Sequence, residues 1–365
     1  MRVLVVNAGS SSLKLTLLDG TDTTIAAREL EAPRAQVDPE ELREALDSLG
    51  EADAVGHRIV HGGERFREAV RIDADIEAAM RELVDLAPLH QPKSLAALDA
   101  VSEALPGLPA VACFDTAFHA SLPAAARTYA LPAEWRERWG LRRYGFHGFS
   151  HAWVARRAPE LLGRDAPGLR IVSCHLGAGA SLCAINDGTS LDTTMGFTPL
   201  EGLVMATRSG SVDPGMLLWL LEREQLSVTE MAEALEHRSG LLGLAGSADM
   251  REIVDRSLAG ELPARLALDV YVHRLRGGIA TMAAALGGLD ALVFTGGVGE
   301  HSPEVRSQTA AGLAFLGVSL DDARNREAHA DEQIGGDHAT VCTLVLTARE
   351  DIEIARQVRA VLGLA

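Results

Sequence analysis

Residues 6–20 read VNAGSSSLKLTLLDG, directly after the short apolar run that opens the chain. Val3 to Val6 has the character of a strand. The run stops at Asn7 and gives way to Gly9, Ser10, Ser11 and Ser12, which are small enough to bare their backbone N–H groups. Lys14 follows, and Leu15 and Leu17 alternate along a second strand. Strand, small-residue turn and strand together make an anion cradle: N–H groups and hydroxyls close round phosphate oxygens, and one lysine supplies charge. Ser/Gly turns also join ordinary hairpins, so the reading gains weight only if something else supports it.

The chain repeats the pattern. A slide of 168 residues lays IVSCHLGAGASLCAINDG, residues 171–188, ungapped over VLVVNAGSSSLKLTLLDG, residues 3–20. Both copies run apolar strand, polar residue (Asn7 or His175), glycine, small residues, apolar strand and Asp-Gly turn. So long a period means duplicated domains rather than a solenoid. Two like lobes, each offering a phosphate hairpin across an interdomain cleft, resemble the layout of the actin/sugar-kinase/Hsp70 ATPases.

Composition sets the bounds. The 365 residues give room for two domains, and 47% hydrophobic content supports full cores and argues against disorder. No apolar run reaches the roughly 18 residues of a membrane helix, and the opening run is too short for a secretory signal. Cys113, Cys174, Cys183 and Cys342 show no metal spacing; they read as buried thiols in a reducing cytoplasm. A net charge of −17 argues against nucleic acid or an acidic membrane as partner. Only Lys14 and Lys93 are lysines, against 32 arginines, which makes a lysine in the phosphate turn harder to dismiss.

Strands alternate with helices throughout, so the class is α/β. Asp38-Pro39 caps a helix running to Leu49. AVGHRIVHGG reads as a buried strand ending in a glycine turn. Ile76, Met80, Leu83 and Leu86 mark an amphipathic helix ending before Pro88. PKSLAALDAVSEAL is a further helix and LPAVACFDTAF a strand. After the second hairpin, helices are expected near 215–224, 228–236 and 262–285. The strand DALVFTGG, a helix after Ser302, the strand VCTLVLTA and a helix from Asp351 close the chain, the last with Ile354, Val358 and Val361 on one face.

At these motifs a family resemblance emerges. VNAGSSSLK, GHRIVHGG, APLHQP, FDTAFH, YGFHGFSH, HLGAGAS, MGFTPLEGLVMATRSGSVDPG and FTGGVGE stand in the order and spacing of acetate kinases, over nearly the whole chain. The resemblance implies a duplicated RNase H-like, actin-like ATPase fold. It places the N-terminal lobe at 1–119 plus 352–365, with the acyl substrate and first phosphate hairpin, and the C-terminal lobe at 120–351, with the nucleotide. It further implies reversible phosphoryl transfer between ATP and acetate, giving acetyl phosphate and ADP, with Mg2+ (or Mn2+), in a cytoplasmic homodimer. The chain is somewhat short for the family, the loss falling between residues 20 and 55.

Phosphoryl transfer needs cations, a metal and in-line geometry rather than a nucleophile. From the residues alone, Arg58 is either a strand-end charge or a carboxylate fork, and Asp115 either an N-cap or a buried functional acid. His147 reads first as a core histidine, and Arg208 as a surface arginine in a Gly-rich turn. The resemblance assigns Arg58 to acetate, with Val60, Leu89, Phe146 and Pro199 forming the acyl pocket. It gives Asp115 a proton-handling or arginine-orienting role, His147 a hydrogen bond to the transferring group, and Arg208 a clamp on it. For the nucleotide it implies Ser10, Ser12, Lys14, the run His175, Leu176, Gly177, Ala178 and Gly179, then Asp249, Met250 and Arg251, and finally Gly297, Val298, Gly299, Glu300 and His301. Asn7 and Glu350 are implied at the metal, although an acid at a helix N-terminus needs none. The pair His147 and His151 lacks the glutamate of HExxH, and no P-loop run occurs.

Four positions depart from the family pattern. Ala178 stands for an Asn in HLGNG, Phe149 for a Thr, His301 for an Asn beside the adenine, and Arg349 for an Asn before the glutamate. Two alternatives stay open beside an active acetate kinase: a propionate or other short-chain acyl kinase, because one added methylene changes binding by only about 1–3 kcal/mol, and a nucleotide-binding paralogue of low activity, suggested by Ala178 and His301.

Overall fold

A computed structural model describes residues 1–9, 12–32, 38–86, 91–164, 167–329 and 331–363. The expected sites Ser10 and Leu89 lie outside the described residues, as does Pro88. The chain forms two compact units. One comprises Met1–Ala120, Phe146–Trp153 and Arg349–Ala365; the other comprises Ser121–Gly145 and Val154–Ala348.

The first unit holds β1 (Val3–Ala8), β2 (Ser12–Leu18), β3 (Thr24–Glu31), β4 (Ala54–Ile59), β5 (Val70–Arg71) and β6 (Ala110–Phe114), in sheet order β3-β2-β1-β4-β6-β5. β1, β2 and β3 are antiparallel, whereas β4 and β6 run parallel to β1. Period-2 alternation splits β1 between two cores. Leu4 and Val6 join Leu42, Leu46 and Val101 of the helices Pro39–Leu49 and Gln91–Ala104. Val3 and Val5 join Cys113, Phe149, Ile352 and Val358 on the other face. As expected, Asp38 caps the first of those helices, accepting from the N–H groups of Glu40 and Glu41.

The second unit repeats the plan with β7 (Arg170–Leu176), β8 (Ala180–Asn186), β9 (Thr189–Thr193), β10 (Ala291–Thr295), β11 (Glu332–Gln333) and β12 (Cys342–Val345), in order β11-β12-β10-β7-β8-β9. β7, β8 and β9 are antiparallel, and β10 and β12 run parallel to β7. The duplication is therefore structural: antiparallel meander first, parallel strands after.

The repeats are not quite ungapped. Ala8 pairs with Leu13, but its counterpart Leu176 pairs with Ala180, so the second turn is one residue shorter, closed by Gly177 N–H to Gly179 O at 2.9 Å. The Asp-Gly pairs also differ. Asp187 (φ 50°) and Gly188 (φ 72°) form a two-residue hairpin turn between Asn186 and Thr189. Asp19 instead opens a longer loop, its carboxylate accepting from the N–H groups of Thr21 and Thr23.

Two further expectations change. The helix expected through Leu86 ends at Arg81 and resumes as one 3-10 turn, Val84–Leu86, although Ile76, Met80 and Leu83 pack on one core as the pattern implied. Cys113, Cys174 and Cys183 are buried, but Cys342, at the start of β12, is only half-buried.

Candidate active site

Parallel strands end together, and β4 and β6 bring Arg58 and the residue after Phe114 side by side. Arg58 Nη2 lies 2.9 Å from Asp115 Oδ2. The Asp115 N–H bonds to Ile59 O at 2.9 Å, extending the ladder one residue. The same Oδ2 accepts the His147 N–H at 2.9 Å, and Gly148 N–H bonds to Asp115 O at 3.0 Å. Thus one carboxylate orients a guanidinium and the backbone of the histidine segment. Its Oδ1 and the Nε of Arg58 are buried without a hydrogen-bond partner among the described residues, which leaves one acceptor and one donor for a ligand.

Glu350 opens the helix Glu350–Val361 and accepts from Asn7 Nδ2 at 3.4 Å. Burial pushes its carboxyl above the usual range; Arg58 opposes this and Asp115 adds to it. Burial likewise works against charge on Arg58, but Asp115 and Glu350 outweigh it. Arg58, Asp115, His147, Asn7 and Glu350 thus gather in the first unit, with Phe146 and Val60 buried there as well. Ser12 and Lys14 face elsewhere: Ser12 Oγ donates to Glu29 Oε1 at 2.7 Å and Lys14 Nζ lies 3.8 Å from it. That lysine pair is exposed and holds weakly.

In the second unit, Arg208 Nη1 donates to Pro199 O at 2.7 Å. Burial lowers its guanidinium pKa, with Glu236 opposing. Ala178 is exposed at the tip of the short hairpin between His175-Leu176 and Ala180, its carbonyl accepting Ala206 N–H at 3.1 Å. Asp249 caps the helix Met250–Leu258 and pairs with Arg251 at 3.2 Å, while Met250 is buried. A cavity of about 360 Å³ brings Arg251 together with His301, Leu258, Ser307 and Arg326.

Glu300 is occupied. Its Oε1 accepts Gly296 N–H at 2.9 Å and Ala348 N–H at 3.0 Å, closing the helix Gly296–His301 that carries Gly297, Val298 and Gly299. Gly296 (φ 77°) lies so close to Leu176 that a methyl there would stand 2.9 Å from its carbonyl oxygen. Arg306, which the sequence reading passed over, is 1% exposed and straps this segment: Nη1 donates to Gly299 O and Glu300 O, and Nε to Asn325 Oδ1, all at 2.8 Å. Burial pushes its pKa down to about 10. An arginine inside an otherwise ordinary helix carries no such signal in sequence, since its partner Asn325 lies 19 residues on.

Two of the departures acquire local explanations. Phe149 is 1% exposed and packs in the core with Cys113, Trp153 and Ile352. Arg349 forms a fork with Asp351, with Nε and Nη2 each 2.9 Å from a carboxylate oxygen.

Likeness to known proteins agrees with this arrangement. A curated acetate kinase of Dictyoglomus turgidum is 42% identical over 397 residues, spanning all of this chain and 98% of that one. An acetate kinase of Nostoc punctiforme is 50% identical over 312 residues, 85% of this chain and 77% of that one. Among solved structures, Porphyromonas gingivalis acetate kinase superposes with a TM-score of 0.89 at 38% identity, covering 99% of both chains. A propionate kinase from Francisella tularensis gives 0.90 at 34% identity, covering 98% of both. Duplicated mixed sheets with these relatives define an α/β phosphotransferase whose acceptor is a carboxyl group. More narrowly, the chain belongs to the Acetokinase family, whose profile matches residues 35–356.

Proposed function

We propose that this chain is an acetate kinase that transfers the terminal phosphoryl group of ATP reversibly to acetate. The observation that carries the reading is the Arg58–Asp115–His147 arrangement, with one donor and one acceptor left open beside a buried guanidinium. Arg58 forks onto the acetate carboxylate, and Asp115 fixes its plane. Val60 and Phe146, with Leu89 and Pro199, limit the length of the acid. The free carboxylate oxygen attacks the γ-phosphorus while the bond to the β-phosphate bridging oxygen breaks and ADP leaves. Arg208 and the His147 imidazole meet charge on the transferring group, where fixed donors act most strongly. Ser10 and the His175–Gly179 turn take the phosphates, while Ser12 and Lys14 are engaged by Glu29 and turned away from the cradle. The cavity beside Arg251 and His301 takes the adenosine, with Asp249, Met250 and Gly297–Glu300 shaping it.

No cluster of three or more acidic, histidine or cysteine side chains suited to a metal occurs among the described residues. Mg2+ needs no such cluster, because it usually takes one or two carboxylates with phosphates and water. The half-buried Glu350 and its partner Asn7 fit that set, and they would hold the ion. When bound, it neutralises phosphate charge.

No helix among the described residues is long and apolar enough to cross a membrane, and a cytoplasmic location is part of the reading. So is a homodimer, supported by Met216, Leu218 and Trp219, which lie exposed on the helix Pro214–Arg223. Light scattering on the purified chain tests the dimer.

The test of function is acyl-phosphate formation by the purified protein from ATP and C2–C4 acids, trapped with hydroxylamine. Acetate should give the highest kcat/KM. The propionate kinase likeness favours propionate as a second substrate, and one methylene is worth only about 1–3 kcal/mol. Absence of acyl phosphate with every acid overturns the reading.

A further inference from the structure

A polar cluster in the second unit lies outside every role assigned so far. The bridge between Thr128 and Arg142, with Arg143 N–H bonded to Arg127 O at 2.8 Å, sets Tyr129 and Arg143 close together. Both reach Glu201. Tyr129 Oη donates to Glu201 Oε2 at 2.5 Å, and Arg143 Nη2 lies 2.7 Å from Glu201 Oε1. Each then holds backbone. Tyr129 Oη accepts Phe197 N–H at 2.9 Å, and Arg143 Nη1 donates to Thr194 O at 3.0 Å and Met195 O at 2.9 Å. Gly196 sits in the middle, where any Cβ would collide with the Glu201 carboxylate and the Tyr129 hydroxyl. Burial first, and Glu201 second, raise the pKa of Tyr129, so the phenol keeps the proton it donates.

What the cluster holds matters. Three residues past Gly196 stands Pro199, whose carbonyl receives Arg208. The Gly196 carbonyl itself accepts the N–H groups of Tyr144 at 3.0 Å and Gly145 at 3.2 Å, and the next residues in the chain are Phe146 and His147. A single clamped glycine therefore anchors the loop that seats one proposed catalytic cation and the segment that leads into the proposed catalytic histidine. Among the described residues only the bond to a loop carbonyl fixes the Arg208 guanidinium within hydrogen-bond reach; its charge partner Glu236 acts at longer range.

We propose that Tyr129, Arg143 and Glu201 are positioning residues for phosphoryl transfer, acting through the Pro199–Arg208 loop; this rests on the acetate kinase reading above. A misplacement near 1 Å is enough to cost about 100-fold in rate while leaving substrate affinity largely alone. The cluster should therefore show itself in kcat and not in KM.

The experiment is a double-mutant cycle on the full-length protein, with Glu201→Ala, Arg208→Ala and their combination assayed by hydroxylamine trapping. Glu201→Ala should lower kcat by roughly tenfold or more, with KM for acetate and for ATP each within about threefold of wild type. In the Arg208→Ala background the same change should cost less than about twofold, because its effect passes through the missing guanidinium. Glu201→Gln, whose amide oxygen still accepts the Tyr129 hydroxyl, should recover much of kcat. If Glu201→Ala fails to fold, Tyr129→Phe, which removes a single hydroxyl, takes its place in the cycle. An unchanged kcat, a loss confined to KM, or an equal loss in both backgrounds overturns the proposal. A wild-type protein that forms no acyl phosphate overturns the functional reading and the cluster with it.

Discussion

His147 has φ 56°, in the left-handed region that L-residues rarely enter, and it is followed by a glycine that admits no side chain. A methyl on Gly148 would fall on the Asp115 carbonyl oxygen that its own N–H bonds, and 3.2 Å from Phe118 Cβ. The strained histidine is held because Asp115 bonds the backbone on both sides of its peptide, at His147 N–H through Oδ2 and at Gly148 N–H through the carbonyl. Gly148→Ala should therefore cost about 2 kcal/mol or more of stability and at least about tenfold in kcat/KM. Urea denaturation and turnover measured on one preparation check both, and loss of stability alone would separate the strain from the function. His57, next to Arg58 on β4, has a buried Nε2 with no partner among the described residues, and burial lowers its pKa from 6.5 to about 4. It stays neutral in the fold while the unfolded chain takes up a proton. Its contribution is thus complete above pH 6.5 and is lost as the pH falls towards 4, by up to ~3 kcal/mol. In His57→Leu the shift of the urea midpoint between pH 7 and pH 5 should shrink; an undiminished shift would place the acid sensitivity elsewhere, His61 being the next candidate.

Among the elements, the hairpins and the last helix were the most legible in sequence, because each joins a period-2 or period-3.6 apolar pattern to a turn or cap residue. The one-residue difference between the hairpins was not, since an ungapped overlay cannot see register. That difference bears on Ala178. It is exposed at the shorter tip, with its backbone held by Ala206, so a longer side chain has room. Ala178→Asn should raise kcat/KM for ATP a few-fold to tens-fold, as one added hydrogen bond to a charged group is here worth about 1–2 kcal/mol; steady-state kinetics that show no gain would mean the amide finds no phosphate. Glu350, at the start of the helix Glu350–Val361, illustrates a site in tension with its fold. Its folded pKa lies above the ordinary 4.5, so ionisation opposes folding, fully above the folded value and not at all well below 4.5. Glu350→Gln should accordingly unfold at higher urea at pH 7, with the gain fading near pH 4, while turnover drops at least about tenfold. A variant no more stable than wild type at pH 7 would show that Arg58 compensates the half-buried carboxylate completely.

For the molecule as a whole, the duplicated plan was readable because each repeat starts with the same order of strands, and the α/β class followed from alternation. Less readable was everything that depends on distant partners: Arg306 with Asn325, Tyr129 with Arg143 and Glu201, and the turning of Lys14 towards Glu29 instead of into the cradle. Arg58 and Asp115 stand 57 residues apart, and the pairing of β4 with β6 that unites them leaves no local pattern. The chain also leaves the first unit and returns to it, and the returning helix completes a core. Ile352, Ile354, Ala355 and Val358 pack with Val3, Val5 and Val111, and Gly56 on β4 makes the close approach possible, since a Cβ there would stand 2.7 Å from Val358 Cγ2 and 2.8 Å from Ile354 Cγ2. Each unit has its own sheet and its own buried residues, so damage to this core should stay local. Ile354→Ala removes buried carbon atoms from a position with no exposure, a change that typically costs about 2–5 kcal/mol. Native-state hydrogen exchange should then speed up across β1, β4 and β6 while β7 and β10 keep their protection. Equal loss of protection in both sheets would show instead that the two units unfold as one, and that the last helix stabilises the entire chain.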